Sequence, residues 1–184
     1  VGMLGDGLDK ATEKTFTRPV PKSAQAQMRF LVKQEKGTRA VAALLGVSQR
    51  TVERYLAGRL KRPRKDLAAR LENEVRRRWQ PRVRERARQR AATTGGIVIE
   101  TRARFGFTAA PGSTDDARLR LVTQALPPDY AARLFAAQSA GAGEDRLRAI
   151  AAEGLQEIYF QDRGRRAQGL QVDFTDIDYV EFEF

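Results

Sequence analysis

Apolar positions recur at helical spacing through the first half of the chain and change to alternate spacing in parts of the second. Ser23 precedes a run in which Ala26 and Phe30, with Met28 and Leu31, can share one side. That predicts a helix to about Lys36, capped by Ser23 and stopped by Gly37. Val41, Ala42 and Leu45 predict a short second helix ending at Gly46, a residue free to adopt positive φ. Val47 would fill the elbow, and Ser48 would cap a third helix with Val52, Tyr55 and Leu56 inward. A small residue, a glycine, an apolar plug and a cap at these offsets make the helix-turn-helix pattern, whose second helix enters a DNA groove. Leu67, Leu71, Val75 and Arg78/Trp79 predict a further helix from about Asp66 to Trp79, with Arg70, Arg76 and Arg77 outward and Pro81 interrupting it.

After Thr93-Thr94-Gly95-Gly96 the period changes. Ile97 to Phe107 is rich in β-branched and aromatic residues and predicts a strand, and Leu119 to Thr123 alternates like a returning one. Pro127-Pro128-Asp129 opens a helix through about Ser139, broken by Gly141 and Gly143. Glu144 to Phe160 predicts another, with Leu147, Ile150, Ala151, Leu155 and Ile158 on one face. Val172 to Phe184 closes the chain as a strand. Its alternation of acids with apolar residues reads as an edge strand with one face in water; membrane contact through the apolar face is the less favoured reading, because those acids repel anionic lipid. The expected fold is a mainly α N-terminal helix-turn-helix domain over residues 1–92 and a small α+β C-terminal domain over 93–184, in the order β-β-α-α-β.

Composition narrows the chemistry. The 184 residues include no Cys and no His, which excludes disulfides, thiolate nucleophiles, Cys/His zinc sites and His-dependent triads. No metal site is expected. No apolar run reaches the ~20 residues of a membrane helix, and the first residues lack the pattern of a signal peptide. A soluble, cytoplasmic protein is expected.

The formal net charge of +11 hides an asymmetry. Residues 1–104 carry 26 basic and 10 acidic side chains, a net of +16, and residues 105–184 a net of −5. A basic half of this size attracts nucleic acid. Gln49, Arg50 and Arg54 would project from the second helix of the motif; Gln suits adenine, and Arg suits guanine or phosphate. The basic loop Arg59, Lys61, Arg62, Arg64 and Lys65, then Arg76 and Arg77, extend the candidate surface. Arg82, Arg84, Arg86 and Arg88 alternate with smaller or other residues, as either a phosphate-tracking helix or a flexible basic linker. The bland alternative for the motif is a helical hairpin with solvated charges.

In the acidic half, Asp115 and Asp116 are adjacent loop carboxylates able to orient the loop or approach a metal, although solvated turn acids are commoner. Ser113 and Thr114 beside them read from the residues alone as turn hydroxyls.

Longer blocks carry more information. KSAQAQMRFLVKQEKGTRAVAALLGVSQRTVERYL, PRKDLAARLENEVRRRWQPRVR, AATTGGIVIETRARFGFTAAPGSTDDAR and IAAEGLQEIYFQDRGRRA resemble the terminal proteins of linear Streptomyces chromosomes and plasmids, the Tpg family, over nearly the whole chain. The resemblance implies a protein attached covalently to telomeric 5′ DNA ends, priming the synthesis that fills the recessed end. It implies three partners: telomeric DNA, the telomere-associated protein Tap and a DNA polymerase. It places the priming hydroxyl on Thr114, with Ser113 as the alternative, and localises the protein to the nucleoid at replicon ends. No cofactor is intrinsic; Mg2+ and deoxynucleotide enter with the polymerase, so the protein is a substrate and not an enzyme. Self-association stays open. Two other readings remain: a helix-turn-helix transcription regulator with a C-terminal dimerisation or effector domain, and a nucleotidyltransferase using Asp115 and Asp116. The second lacks a phosphate-cradling glycine loop.

Overall fold

The computed structural model describes residues 2–108, 118–165 and 171–184. Among them are eight α-helices and a three-stranded antiparallel sheet. They form two compact units, residues 17–81 and residues 1–16 with 82–184. This division differs from the 1–92/93–184 boundary expected at Thr93-Thr94-Gly95-Gly96. The reason is burial: Leu4, Leu8, Ala11 and Ala91 belong to the same apolar core as the strands.

Unit 2, residues 17–81, packs α2 (Ala24–Gln34), α3 (Thr38–Leu45), α4 (Gln49–Leu56) and α5 (Lys65–Arg78) around Met28, Leu31, Val41, Leu45, Val52, Tyr55, Leu71 and Val75. Spacing of three or four residues places each set on one helix face. The Ser23 hydroxyl caps α2 by accepting from the Ala26 amide at 3.2 Å. Two expectations for this helix are corrected. Ala26 is exposed, and Ala24 and Gln27 turn inward with Met28 and Leu31. The stop is made by Lys36 at φ 57°, while Gly37 is extended at φ 168°. The Gly37 amide reaches back to the Val32 carbonyl at 3.2 Å, which satisfies a terminal acceptor. Where the chain enters and leaves this unit, the Gln80 side-chain oxygen accepts from the Thr17 amide at 3.1 Å.

Unit 1 contains α1 (Met3–Lys14), α6 (Pro81–Arg90, whose first residue belongs to unit 2), β1 (Ile97–Thr108), β2 (Arg118–Leu126), α7 (Pro128–Ser139), α8 (Glu144–Leu155) and β3 (Gln171–Glu183). The strand order is β2-β1-β3. Single π-helical turns follow α6 at Ala91–Gly95 and α8 at Gln156–Phe160, so the second turn ends the helix expected to run to Phe160. Ile97, Ile99, Ala103 and Phe105 on β1, Val122 and Leu126 on β2, and Val172, Phe174, Val180 and Phe182 on β3 form one apolar face. Leu134 and Phe135 of α7, Ile150 and Leu155 of α8, and Leu4 and Leu8 of α1 complete the core. Phe105 lies flat on Phe174 at 5.2 Å between ring centres. The opposite face meets water with paired charges, Arg102 to Asp178 at 3.3 Å and Arg104 to Asp176 at 3.4 Å. At Gly96, φ is 70° and a Cβ would fall 2.3 Å from the Leu126 carbonyl oxygen, so only glycine fits there. No described helix is long and apolar enough to cross a membrane.

Candidate nucleic-acid interface

The Leu45 end of α3 leads through Gly46 in the left-handed region, φ 63° and ψ 41°, directly into α4. Its amide and that of Val47 bond to the Ala43 and Ala42 carbonyls, at 3.2 and 3.0 Å, which ends α3 without leaving those acceptors bare. Val47 is half-buried against the core, in the elbow. The Ser48 hydroxyl accepts from the Thr51 amide at 3.2 Å and caps α4. Val52 and Tyr55 are then buried, which turns Gln49, Arg50, Glu53 and Arg54 to water.

These four residues are not equivalent. The Gln49 amide nitrogen donates to Thr38 Oγ1 at 3.1 Å and to Glu53 Oε1 at 2.9 Å. Gln49 therefore ties the start of α4 to the start of α3 and engages Glu53, which lies between the two arginines in sequence. Arg50 and Arg54, four residues apart on one face, make no ion pair among the described residues. Thr38 escapes the sequence reading; its only signal is a helix-opening hydroxyl after Gly37.

Beyond α4, Arg59, Lys61, Arg62, Arg64 and Lys65 are all exposed, the first four in the irregular segment before α5. The end of α5 is different. Arg76 pairs with Glu72 at 2.7 Å, Arg77 with Glu74 at 3.5 Å, and Arg78 with Glu35 at 2.7 Å and with Glu74. A phosphate would have to compete with these acids, so this turn attracts polyanions less than its sequence implies. Unit 2 as a whole carries 17 basic and 5 acidic residues, a net of +12, while unit 1 carries 17 and 18, a net of −1.

The arginine run of α6 belongs to unit 1, and it is a helix and not a linker. Strict alternation along the chain advances about 200° per step on a helix, so alternate arginines fall on opposite sides. Arg82, Arg86 and Arg90 are exposed, whereas Arg84 and Arg88 are half-buried. Arg88 lies 5.1 Å over the Phe135 ring, donates to Gln138 at 2.7 Å and pairs with Asp9 at 3.6 Å. Burial, aided by the Arg84 charge, pulls the Arg88 guanidinium below its usual range against the pull of Asp9. Burial likewise raises the Asp9 carboxyl, opposed by the Arg84 and Arg88 charges. Arg84 reaches over the Phe16 ring at 5.8 Å. Arg84 and Arg88 thus hold α6 on its own unit, and Arg82 and Arg86 remain to meet a phosphate.

Ser113, Thr114, Asp115 and Asp116 lie outside the described residues, in the connection between the paired strands β1 and β2. Among the described residues no group of three or more carboxylates converges as a metal site would require. No family model matches the chain, and neither does any curated protein or solved structure.

Proposed function

We propose that unit 2 binds duplex DNA as a helix-turn-helix and that the protein is a telomeric terminal protein, priming end-filling synthesis from the Thr114 hydroxyl. The DNA-binding part rests on one observation: a left-handed Gly46 and a Ser48-capped α4 turn Arg50 and Arg54 to solvent in a unit of net charge +12. The priming part rests on the resemblance to the Tpg family, which covers nearly the whole chain. Tap and a DNA polymerase are the partners in this reading, and the replicon end within the nucleoid is the location.

Priming makes modest demands on the chain. The Thr114 oxygen attacks the α-phosphorus of a deoxynucleoside triphosphate, an O–P bond forms, and pyrophosphate leaves with its electron pair. The hydroxyl proton passes to solvent or to a base of the polymerase, whose Mg2+ ions carry the charge of the leaving group. A protein without His or Cys can supply the alcohol, with Ser113 as the neighbouring alternative and Asp115 and Asp116 to orient the loop.

The test is transfer of label. The full chain, incubated with telomeric template, polymerase, Tap and labelled dCTP, retains label through denaturing electrophoresis, and Thr114→Ala does not. Undiminished label on that variant moves the site to Ser113 or elsewhere. No label under any condition, with tight operator-like binding, identifies a transcription regulator built on the same helix pair.

A further inference from the structure

β2 has a strand neighbour on one side only, and no described residue pairs with its other side. Leu126 turns its carbonyl toward Gly96 at the start of β1. Strand alternation then points the backbone groups of Leu119, Leu121, Thr123 and Ala125 to the open side. The same four residues carry their side chains on the face of the sheet away from the core, where Leu119 is 47% and Leu121 66% exposed. Among the described residues these are the two most exposed large hydrophobics.

Natural sheet edges are ordinarily blunted by charges, proline or a bulge. β3, the other edge strand, has such features: a register shift opposite Arg102–Arg104, the exposed acids Asp176, Asp178, Glu181 and Glu183, and α1 packed against it. From Leu119 to Leu126, β2 has no acid, no proline and no register shift, and Arg120 is its only charge. Among the described residues, the Gln124 amide donates to the Ala125 carbonyl on this edge at 3.0 Å, and Arg120 lies 5.8 Å over the Phe160 ring.

We infer that this edge pairs with the same edge of a second copy of the chain, antiparallel about a two-fold axis at Val122, to make a continuous six-stranded sheet. That register pairs every residue from Leu119 to Ala125 and is self-complementary. Leu121 stands opposite Thr123, Leu119 opposite Ala125, and Arg120 opposite Gln124, so no like charges face each other. Each hydrogen-bonded pair joins two residues whose backbone groups already point outward, and the Gln124–Ala125 contact is exchanged for a ladder bond. An acidic strand from another protein would meet only Arg120, whereas self-pairing covers both leucines in both copies. The closed two-fold contact carries two copies of the basic unit into one assembly.

Sedimentation of the full chain over a dilution series tests the inference. The wild type is expected to be a dimer that dissociates on dilution, and Leu121→Lys a monomer at every concentration with an unchanged circular dichroism spectrum. Thr123→Pro removes only an edge-facing N–H and should also abolish the dimer; it decides the matter if Leu121→Lys fails to fold. Because the chain has no cysteine, Thr123→Cys can carry a single nitroxide. The two Cα atoms would stand roughly 8 Å apart by ladder spacing, giving dipolar broadening that fades on dilution. A wild type that is monomeric throughout overturns the inference. So does a dimer indifferent to these edge substitutions, or a labelled dimer without broadening.

Discussion

Units 2 and 1 solve the same problem, burying apolar surface, with opposite chain economies. Unit 2 draws its core from consecutive helices in one stretch, residues 17–81, and its surface keeps a net charge of +12. Unit 1 gathers its core from both sides of that stretch, and α1 lies against β3 from the far end of the chain. Its net charge of −1 conceals α6, whose arginines divide between a solvent face and a packed one. Side chains of one type thus attract polyanions in one setting and hold a fold together in another, according to which face the core claims.

The largest expected effect tests whether the units are separate in stability. Phe105→Ala removes a fully buried ring stacked on Phe174 and should destabilise unit 1 by about 3–5 kcal/mol. Trp79, the only tryptophan, reports on unit 2. Its fluorescence transition is expected to stay in place while far-UV dichroism loses its unit 1 component, and a common shift of both breaks the comparison. Next, Arg50→Ala and Arg54→Ala should each weaken duplex binding by about 1–3 kcal/mol if they read bases, with no change in the Trp79 transition. Fluorescence anisotropy against telomeric and unrelated duplexes measures it.

The two faces of α6 give the sharpest contrast. Arg88→Ala is expected to lower unit 1 stability by about 1–2 kcal/mol through its lost contact over Phe135. Arg86→Ala should leave stability alone and reduce the salt slope of DNA binding by about one. Equal effects of the pair in both assays would refute the division of faces. Ser48→Ala removes the α4 cap and should cost unit 2 about 1 kcal/mol, read from the Trp79 denaturation midpoint.

The smallest effect is a pH effect. Arg133 pairs with Glu153 between α7 and α8, and its hydrogen bonds hold that carboxyl below the usual range. The stability this supplies is complete above the ordinary glutamate pKa and is lost as pH falls through the lowered one. The pair is about half exposed, so Glu153→Gln, which removes the charge and leaves Arg133 over the Tyr130 ring, should cost under about 1 kcal/mol at neutral pH and nothing in acid, by urea midpoints at the two conditions.

Legibility followed locality. The α3–Gly46–Ser48–α4 stretch could be read because its turn and caps are local, with the cap at Ser48 and the left-handed Gly46, and because Val52 and Tyr55 keep helical spacing whatever they pack against. Ala26 and Lys36 show the limit even there. An alanine is apolar enough for either face, and the left-handed turn fell on a lysine while the neighbouring glycine stayed extended. α1 was not read at all, although Leu4, Leu8 and Ala11 have helical spacing, because their partners on β3 are some 170 residues away. The alternation in α6 was visible, but assigning Arg84 and Arg88 inward required Phe16, Asp9 and Phe135.

By itself the sequence determined the periods, and with them the order β1-β2-α7-α8-β3, the helices of unit 2 and the overall excess of positive charge. Periodicity is a property of neighbouring residues and survives without knowledge of what each face meets. Only the tertiary structure decided that residues 1–16 and the arginine helix join the sheet, which arginines stay in water, and which strand edge no other described strand pairs. Burial is a relation between distant segments, and a segment's own pattern cannot name its partner.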